Sequence, residues 1–189
     1  MVSAKQNKIA FWAVTPNGAK LIDRLSRDLP DADSYVSRNL AVKKSSPILF
    51  ERLSVTLEDK FHQYAGHVFI MSTGIVVRVI APLIQNKTKD PAVVVVDDLG
   101  KNAISLLSGH IGGANELTYK IARIIKTNPV ITTATDINEV PAIDVLAREN
   151  GLFIENPAAI KNVNMAFLKR EKLLLHDPFN FLTDSLLNS

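Results

Sequence analysis

Residues 92–108, "AVVVVDDLGKNAISLLS", decide the fold. Ala92 to Val96 is an uninterrupted, β-branched apolar run, the composition of a strand buried on both faces. Asp97-Asp98-Leu99-Gly100 is turn chemistry, and Asn102 to Leu107 reads as strand again. Two strands joined by so short a turn predict a hairpin, and therefore one antiparallel pairing.

Outward from this hairpin, strands alternate with helices. Upstream, Lys8 to Thr15 predicts a strand and Gly18 to Leu29 an amphipathic helix with Ile22, Leu25 and Leu29 on one face. Asp33 to Ser37 is a weaker strand. Leu49, Leu53, Leu57 and Phe61 at i, i+4 spacing predict a helix from Leu49 to Tyr64. "GHVFIMSTG" (66–74) is a buried strand leading into the apolar helix "IVVRVIAPLI" (75–84). Downstream, a helix from Gly113 to Lys126 precedes the strand "PVITTAT" (129–135). Helices are expected over 140–149 and 158–171, with short strands at 152–155 and in "KLLLHDP" (172–178). This order predicts an α/β fold: a mixed, mostly parallel sheet with helices on both faces, plus a smaller α/β C-terminal segment. A seam near Asp136 to Glu139 divides the expectation into residues 1–138 and 139–189.

Composition narrows the function. The 189 residues hold no cysteine, which removes disulfides, thiolate metal sites and cysteine nucleophiles. The net charge is +3, and the densest basic pairs, Lys43-Lys44 and Lys169-Arg170, lack interleaved aromatics. Nucleic acid is therefore not expected as a partner, whereas acidic small molecules suit the charge. The apolar run Ile9 to Val14 is too short for a signal-peptide core, and no run reaches membrane length. A soluble, cytoplasmic protein without membrane contact is expected.

"SGHIGG" (108–113) stands out chemically. Gly109, Gly112 and Gly113 allow positive φ and close approach of a ligand to the backbone, and the following helix should aim amides at an anion. The stretch lacks the Lys-Ser/Thr of a Walker loop and the spacing of a dinucleotide fingerprint, so phosphate or carboxylate is the expected guest. Ser108 and Glu116 could equally be ordinary helix caps. His110 is the natural general base, while His62, His67 and His176 are expected to be surface or structural residues. If strands 103–107 and 129–135 run parallel, their C-terminal ends share a rim, bringing Ser108 and His110 to Asp136. Arg78, set in an apolar helix, needs an anion, either Asp97 or one carried by a ligand. Thr73-Gly74 makes a second hydroxyl–glycine turn at a helix start. Whether this group reaches His110 is left open by the sequence. No ligand set for a protein metal is seen.

The segments "STGIVVRVIAPLI", "DPAVVVVDDLGKNAISLLSGHIGGANELTYKIA" and "VITTATDINEVPAIDVLA" resemble the cobalamin biosynthesis protein CbiG family over much of residues 66–147. The resemblance implies a cobalt-precorrin-5A hydrolase of the anaerobic cobalamin pathway. Such an enzyme opens the δ-lactone of a cobalt-bearing tetrapyrrole and releases acetaldehyde, the cobalt arriving with the substrate and no other cofactor being required. His110, Glu116 and Asp136 become the expected catalytic groups. Thr73, Gly74, Arg78, Ser108, Gly109, Gly112, Gly113 and Asn115 become the expected substrate contacts, facing the tetrapyrrole's carboxylates. Family members commonly continue into a carboxy-terminal domain that this sequence lacks. A separate polypeptide carrying that domain, or another pathway enzyme, is the expected partner. The alternative expectation is a non-catalytic tetrapyrrole-binding or scaffold subunit.

Overall fold

A computed structural model describes residues 6–40, 46–87 and 89–182; the Lys43-Lys44 pair and the last residues of the tail lie outside them. The chain divides into two compact units, residues 1–130 and 131–189.

The first unit is built on one seven-stranded sheet, in the order β3-β2-β1-β4-β5-β6-β7. Its strands are β1 (Gln6–Ala13), β2 (Asp33–Ser37), β3 (Ile48–Phe50), β4 (Tyr64–Ile70), β5 (Ala92–Val96), β6 (Asn102–Leu107) and β7 (Asn128–Val130). Every pairing is parallel except β5 with β6, where Val96 faces Ala103 and Val95 faces Ile104. The expected hairpin is therefore present. Four helices cover the sheet: α1 (Pro16–Asp28), α2 (Leu53–Lys60), α3 (Thr73–Ile80) and α4 (Ala114–Ile125).

Right-handed crossovers account for the side each helix takes. From β1, the chain steps one way through α1 to β2; through α2 and α3 it steps the other way. Those helices accordingly lie on opposite faces. The unit β6–α4–β7 runs on reversed strands, which returns α4 to the α1 side. Leu21, Ile22 and Leu25 of α1 and Leu117, Ile121 and Ile125 of α4 share one core with Phe11, Val68, Val94 and Val96. Leu57, Phe61, Val76 and Ile80 seal the other face over Trp12, Phe69, Val93 and Val95. Period-two alternation along β1 and β5 supplies both cores at once.

The second core contains a buried histidine. His67 Nδ1 accepts from Trp12 Nε1 at 3.0 Å, so the ring proton is on Nε2, which donates to the Phe61 carbonyl at 2.9 Å. Phe61 stacks on it, with ring centroids 5.3 Å apart. This is the structural role expected of His67.

Several expected elements differ. The helix expected from Leu49 starts at Leu53, because residues 48–50 pair with β2 as an edge strand, leaving Leu49 47% exposed. The strand expected over 129–135 ends at Val130 and gives way to a short helix, α5 (Ala134–Ile137). The second unit continues with α6 (Ile143–Glu149) and α7 (Ile160–Leu168), tied by Asn164, which accepts from the Ile143 amide at 2.8 Å and donates to Asp144 at 3.0 Å. Among its described residues there is no strand; those expected at 152–155 and 172–178 do not form. A strand needs a partner for its backbone groups; here Phe153 and Leu174 are instead 88% and 94% exposed. Among the described residues, no helix is long and apolar enough to cross a membrane.

Asp97 holds the hairpin. Its carboxylate accepts from the amides of Leu99 (3.0 Å), Lys101 (3.2 Å) and Asn102 (2.6 Å), with Gly100 at φ 68° completing the turn. Partial burial works against its charge, but the amides of Lys101, Asn102 and Leu99 outweigh that and hold the carboxyl below its ordinary value of 3.8. A lowered folded-state value means that the stabilisation is complete above that value and lost as pH falls below it. Asp97→Asn should therefore cost about 1–2 kcal/mol at neutral pH, and the difference from wild type should shrink below about pH 4. Thermal melts of both proteins from neutral to acid pH check this. A difference independent of pH would assign the turn's stability elsewhere.

Candidate functional site

The hairpin separates the candidate residues. Strands β1 to β5 point the same way, so their C-terminal ends share one rim, where Thr73, Gly74 and Arg78 follow β4. β6 is reversed, so Ser108 to Gly113 emerge at the opposite rim. With β5 five residues long, roughly 17 Å of sheet lies between the two groups. Thr73 and Arg78 do not reach His110.

At the glycine-rich turn the backbone doubles back on itself. Ser108 has φ 59°, in the left-handed region a non-glycine residue rarely occupies, and Gly113 has φ 84°. Gly112 passes so close to Ser108 that a Cβ there would lie 2.3 Å from the Ser108 Cβ. Gly112 is thus required by proximity and Gly113 by conformation. The Gly113 amide donates to the His110 carbonyl (2.9 Å), Ala114 to Ser108 (3.0 Å) and Asn115 to Gly109 (3.0 Å). This corrects the expectation of ligand-directed amides, because those at the start of α4 are used within the turn. One group is left over: the Ser108 hydroxyl is buried with no hydrogen-bond partner. Asn115 is buried, its Oδ1 accepting from Ser105 Oγ at 2.6 Å. Glu116 is exposed in the first turn of α4, where a carboxylate suits the helix dipole.

The expected strand does not carry the chain as far as Asp136, since β7 ends at Val130. Asp136 lies in α5 of the second unit and accepts from Thr133 Oγ1 at 2.6 Å.

The other rim holds what the sequence reading missed. The order of connections reverses between β1 and β4, the position where open α/β sheets form a crevice beyond their strand ends. Gly18 lets the start of α1 pack closely on the ends of β1 and β4: a Cβ there would lie 3.0 Å from Ala13 Cβ and 3.2 Å from the Ile70 carbonyl. Thr15 caps α1 by accepting from the Gly18 amide (3.0 Å), and its hydroxyl donates to Asp98, which Asn17 also contacts at 3.0 Å. The signal was "TPNG" (15–18), a hydroxyl, proline and glycine at a helix start. Arg78 is also corrected. It faces solvent on α3 rather than apolar packing, and its Nη1 donates to the Gly74 carbonyl at 3.3 Å. Asp97, its expected partner, is occupied by the hairpin.

A cavity of about 270 Å³, lined by Lys8, Ile9, Asp28 to Ala32 and Lys120, includes none of the candidate residues. Beside Lys8, Asp33 accepts from its Nζ (2.6 Å) and from the Tyr64 hydroxyl (2.7 Å). Burial opposes the charge on Asp33, but these two bonds hold its carboxyl below the ordinary value, while burial, the Tyr35 hydroxyl and Asp33 raise Tyr64. Among the described residues, no group of three or more His, Asp or Glu is placed to hold a metal ion.

A mostly parallel sheet covered by helices on both faces, with connections that reverse between β1 and β4, defines an α/β domain. Residues 55–136 match the family model described as Cobalamin synthesis G N-terminal, and residues 141–188 that described as Cobalamin biosynthesis central region. The chain belongs to this cobalamin synthesis G family, across its amino-terminal and central regions. It is 41% identical over 175 residues to a cobalt-precorrin-5A hydrolase of Salmonella typhimurium, covering 92% of this chain and 49% of that protein. It is 35% identical over 168 residues to the hydrolase of the same name from Priestia megaterium, covering 87% and 45%. The chain thus spans about half the length of these relatives. In fold it resembles a cobalamin biosynthesis protein G homolog from Sulfolobus solfataricus, with a TM-score of 0.54 and 23% identity, over 92% of this chain and 52% of that one.

Two glycines separate proximity from conformation. Gly112→Ala should destabilise the protein by about 1–3 kcal/mol through overpacking against Ser108. Gly74→Ala, exposed in α3 with only the tip of Arg78 at 3.4 Å, should be neutral or stabilise by up to about 1 kcal/mol. Denaturant unfolding of the two variants checks the contrast, and equal effects would contradict the turn geometry.

Proposed function

We propose that this chain carries the amino-terminal and central part of a cobalt-precorrin-5A hydrolase. Its substrate is a cobalt tetrapyrrole whose δ-lactone is opened by water, with release of acetaldehyde, and the cobalt belongs to the substrate. What supports the reading is the 41% identity to the Salmonella protein of that name over nearly the whole chain. The catalytic groups in this proposal are His110 as general base, with Glu116 in support. The donor offered to a substrate oxygen at the turn is the Ser108 hydroxyl, which has no hydrogen-bond partner among the described residues. Asn115 and the backbone of Gly109, Gly112 and Gly113 shape that turn. Thr73, Gly74 and Arg78, at the other rim, are substrate contacts of a second, binding-subunit reading. The carboxy-terminal region of the family, on a separate polypeptide or as another pathway enzyme, is the proposed partner.

The division of candidates between two rims favours a second reading, a tetrapyrrole-binding subunit whose chemistry lies on that partner. His110→Ala separates them. Loss of a general base costs about 10²–10⁴-fold in rate. The hydrolase reading expects acetaldehyde release to fall by that factor with the melting temperature nearly unchanged. Wild-type turnover in the variant, assayed with the carboxy-terminal partner present, would leave the binding-subunit reading.

A further inference from the structure

Helix α3 turns an uncommon face to solvent. On a helical projection Gly74, Arg78 and Ala81 run down the middle of the outward side, with Ile75 and Val77 on its flanks. Ile75 is 42% exposed and Val77 47%, while Val76 and Ile80 seal the inward side. The face is therefore apolar and, at Gly74 and Ala81, low enough for a flat molecule to approach. Its one charge is Arg78. That guanidinium lies back toward the start of the helix, against the Gly74 carbonyl, and no ion pair of the described residues includes it. The positive end of the α3 dipole adds to the same spot.

A cation without a carboxylate among the described residues, framed by exposed apolar side chains, is complementary to a flat apolar body with an acidic edge. We propose that the outer face of α3 seats the tetrapyrrole ring, with Ile75, Val77 and Ala81 against the macrocycle and Arg78 on one peripheral carboxylate. The proposal rests on the tetrapyrrole reading of function, and not on the assignment of His110. A ring held here lies on the far rim from His110, so this placement goes with the binding-subunit reading.

The test is a spectroscopic titration with two probes, cobyrinic acid, a cobalt corrinoid bearing free carboxylates, and its methyl ester. Wild type should bind the acid more tightly than the ester, and more weakly as salt is raised. Arg78→Ala should weaken binding of the acid by about tenfold or more, the loss of one charge-assisted contact, while leaving the ester and the melting temperature unchanged. Val77→Asp, which sets a carboxylate on the same face, should weaken the acid as well. Equal affinity of wild type and both variants for the acid would overturn the α3 seat while leaving the tetrapyrrole reading in place. Failure of wild type to bind either corrinoid would overturn both. If the variants change self-association and not corrinoid affinity, the face is a protein interface and the proposal fails.

Discussion

The arrangement of this protein depends on one tight turn. The Asp97 carboxylate gathers three amides within five residues and sends the chain back antiparallel beside β5. Had the chain crossed over through a helix, β6 would run parallel like its neighbours, and the glycine-rich turn after it would share a rim with α3. The reversal moves that turn to the other end of the sheet. It also returns α4 to the face already covered by α1, where Leu117, Ile121 and Ile125 complete that core. One small polar interaction thus decides both which helices share a core and which functional candidates can meet.

The consequence for function is a choice between rims. At one, Ser108 is held at positive φ with a buried hydroxyl that no described residue satisfies, beside a histidine and a glutamate. Strain and unsatisfied polar groups concentrate where a ligand makes up the difference. At the other, the order of connections reverses between the starts of α1 and α3, and Arg78 meets no carboxylate among the described residues. At the second, exposed apolar side chains flank a positive charge. The first offers a base and a hydroxyl, but the amides of Ala114 and Asn115 are consumed internally.

Much of this was legible in the sequence because the signals were local. The valine run of β5, the Asp97–Gly100 turn and the apolar stripe of α4 each encode their own structure, and the hairpin follows from the first two. What escaped depended on distant neighbours. Ile48 to Phe50 matched a helical spacing continuing into Leu53, yet an open edge of β2 was there to pair with them. β7 needed only the first part of β6 as a partner, so Val130 ended it and the strand expected to run on to Thr135 stopped there. Arg78 looked buried because its chain neighbours are apolar, but a helix resting on a sheet by Val76 and Ile80 leaves Ile75 and Val77 in solvent too. Thr15, Asn17 and Asp98 meet across the end of β4, a juxtaposition that spacing along the chain does not encode.

The central claim is that the α3 start and the glycine-rich turn lie on opposite rims. Because the natural sequence has no cysteine, two can be introduced without background, as Ser72→Cys and Ile111→Cys, and spin-labelled for a pulsed electron–electron distance measurement. The structure predicts a single distance population beyond roughly 17 Å, the length of the intervening sheet. A population centred below about 10 Å, too short to span those strands, would contradict the reversed hairpin and reunite the two sites.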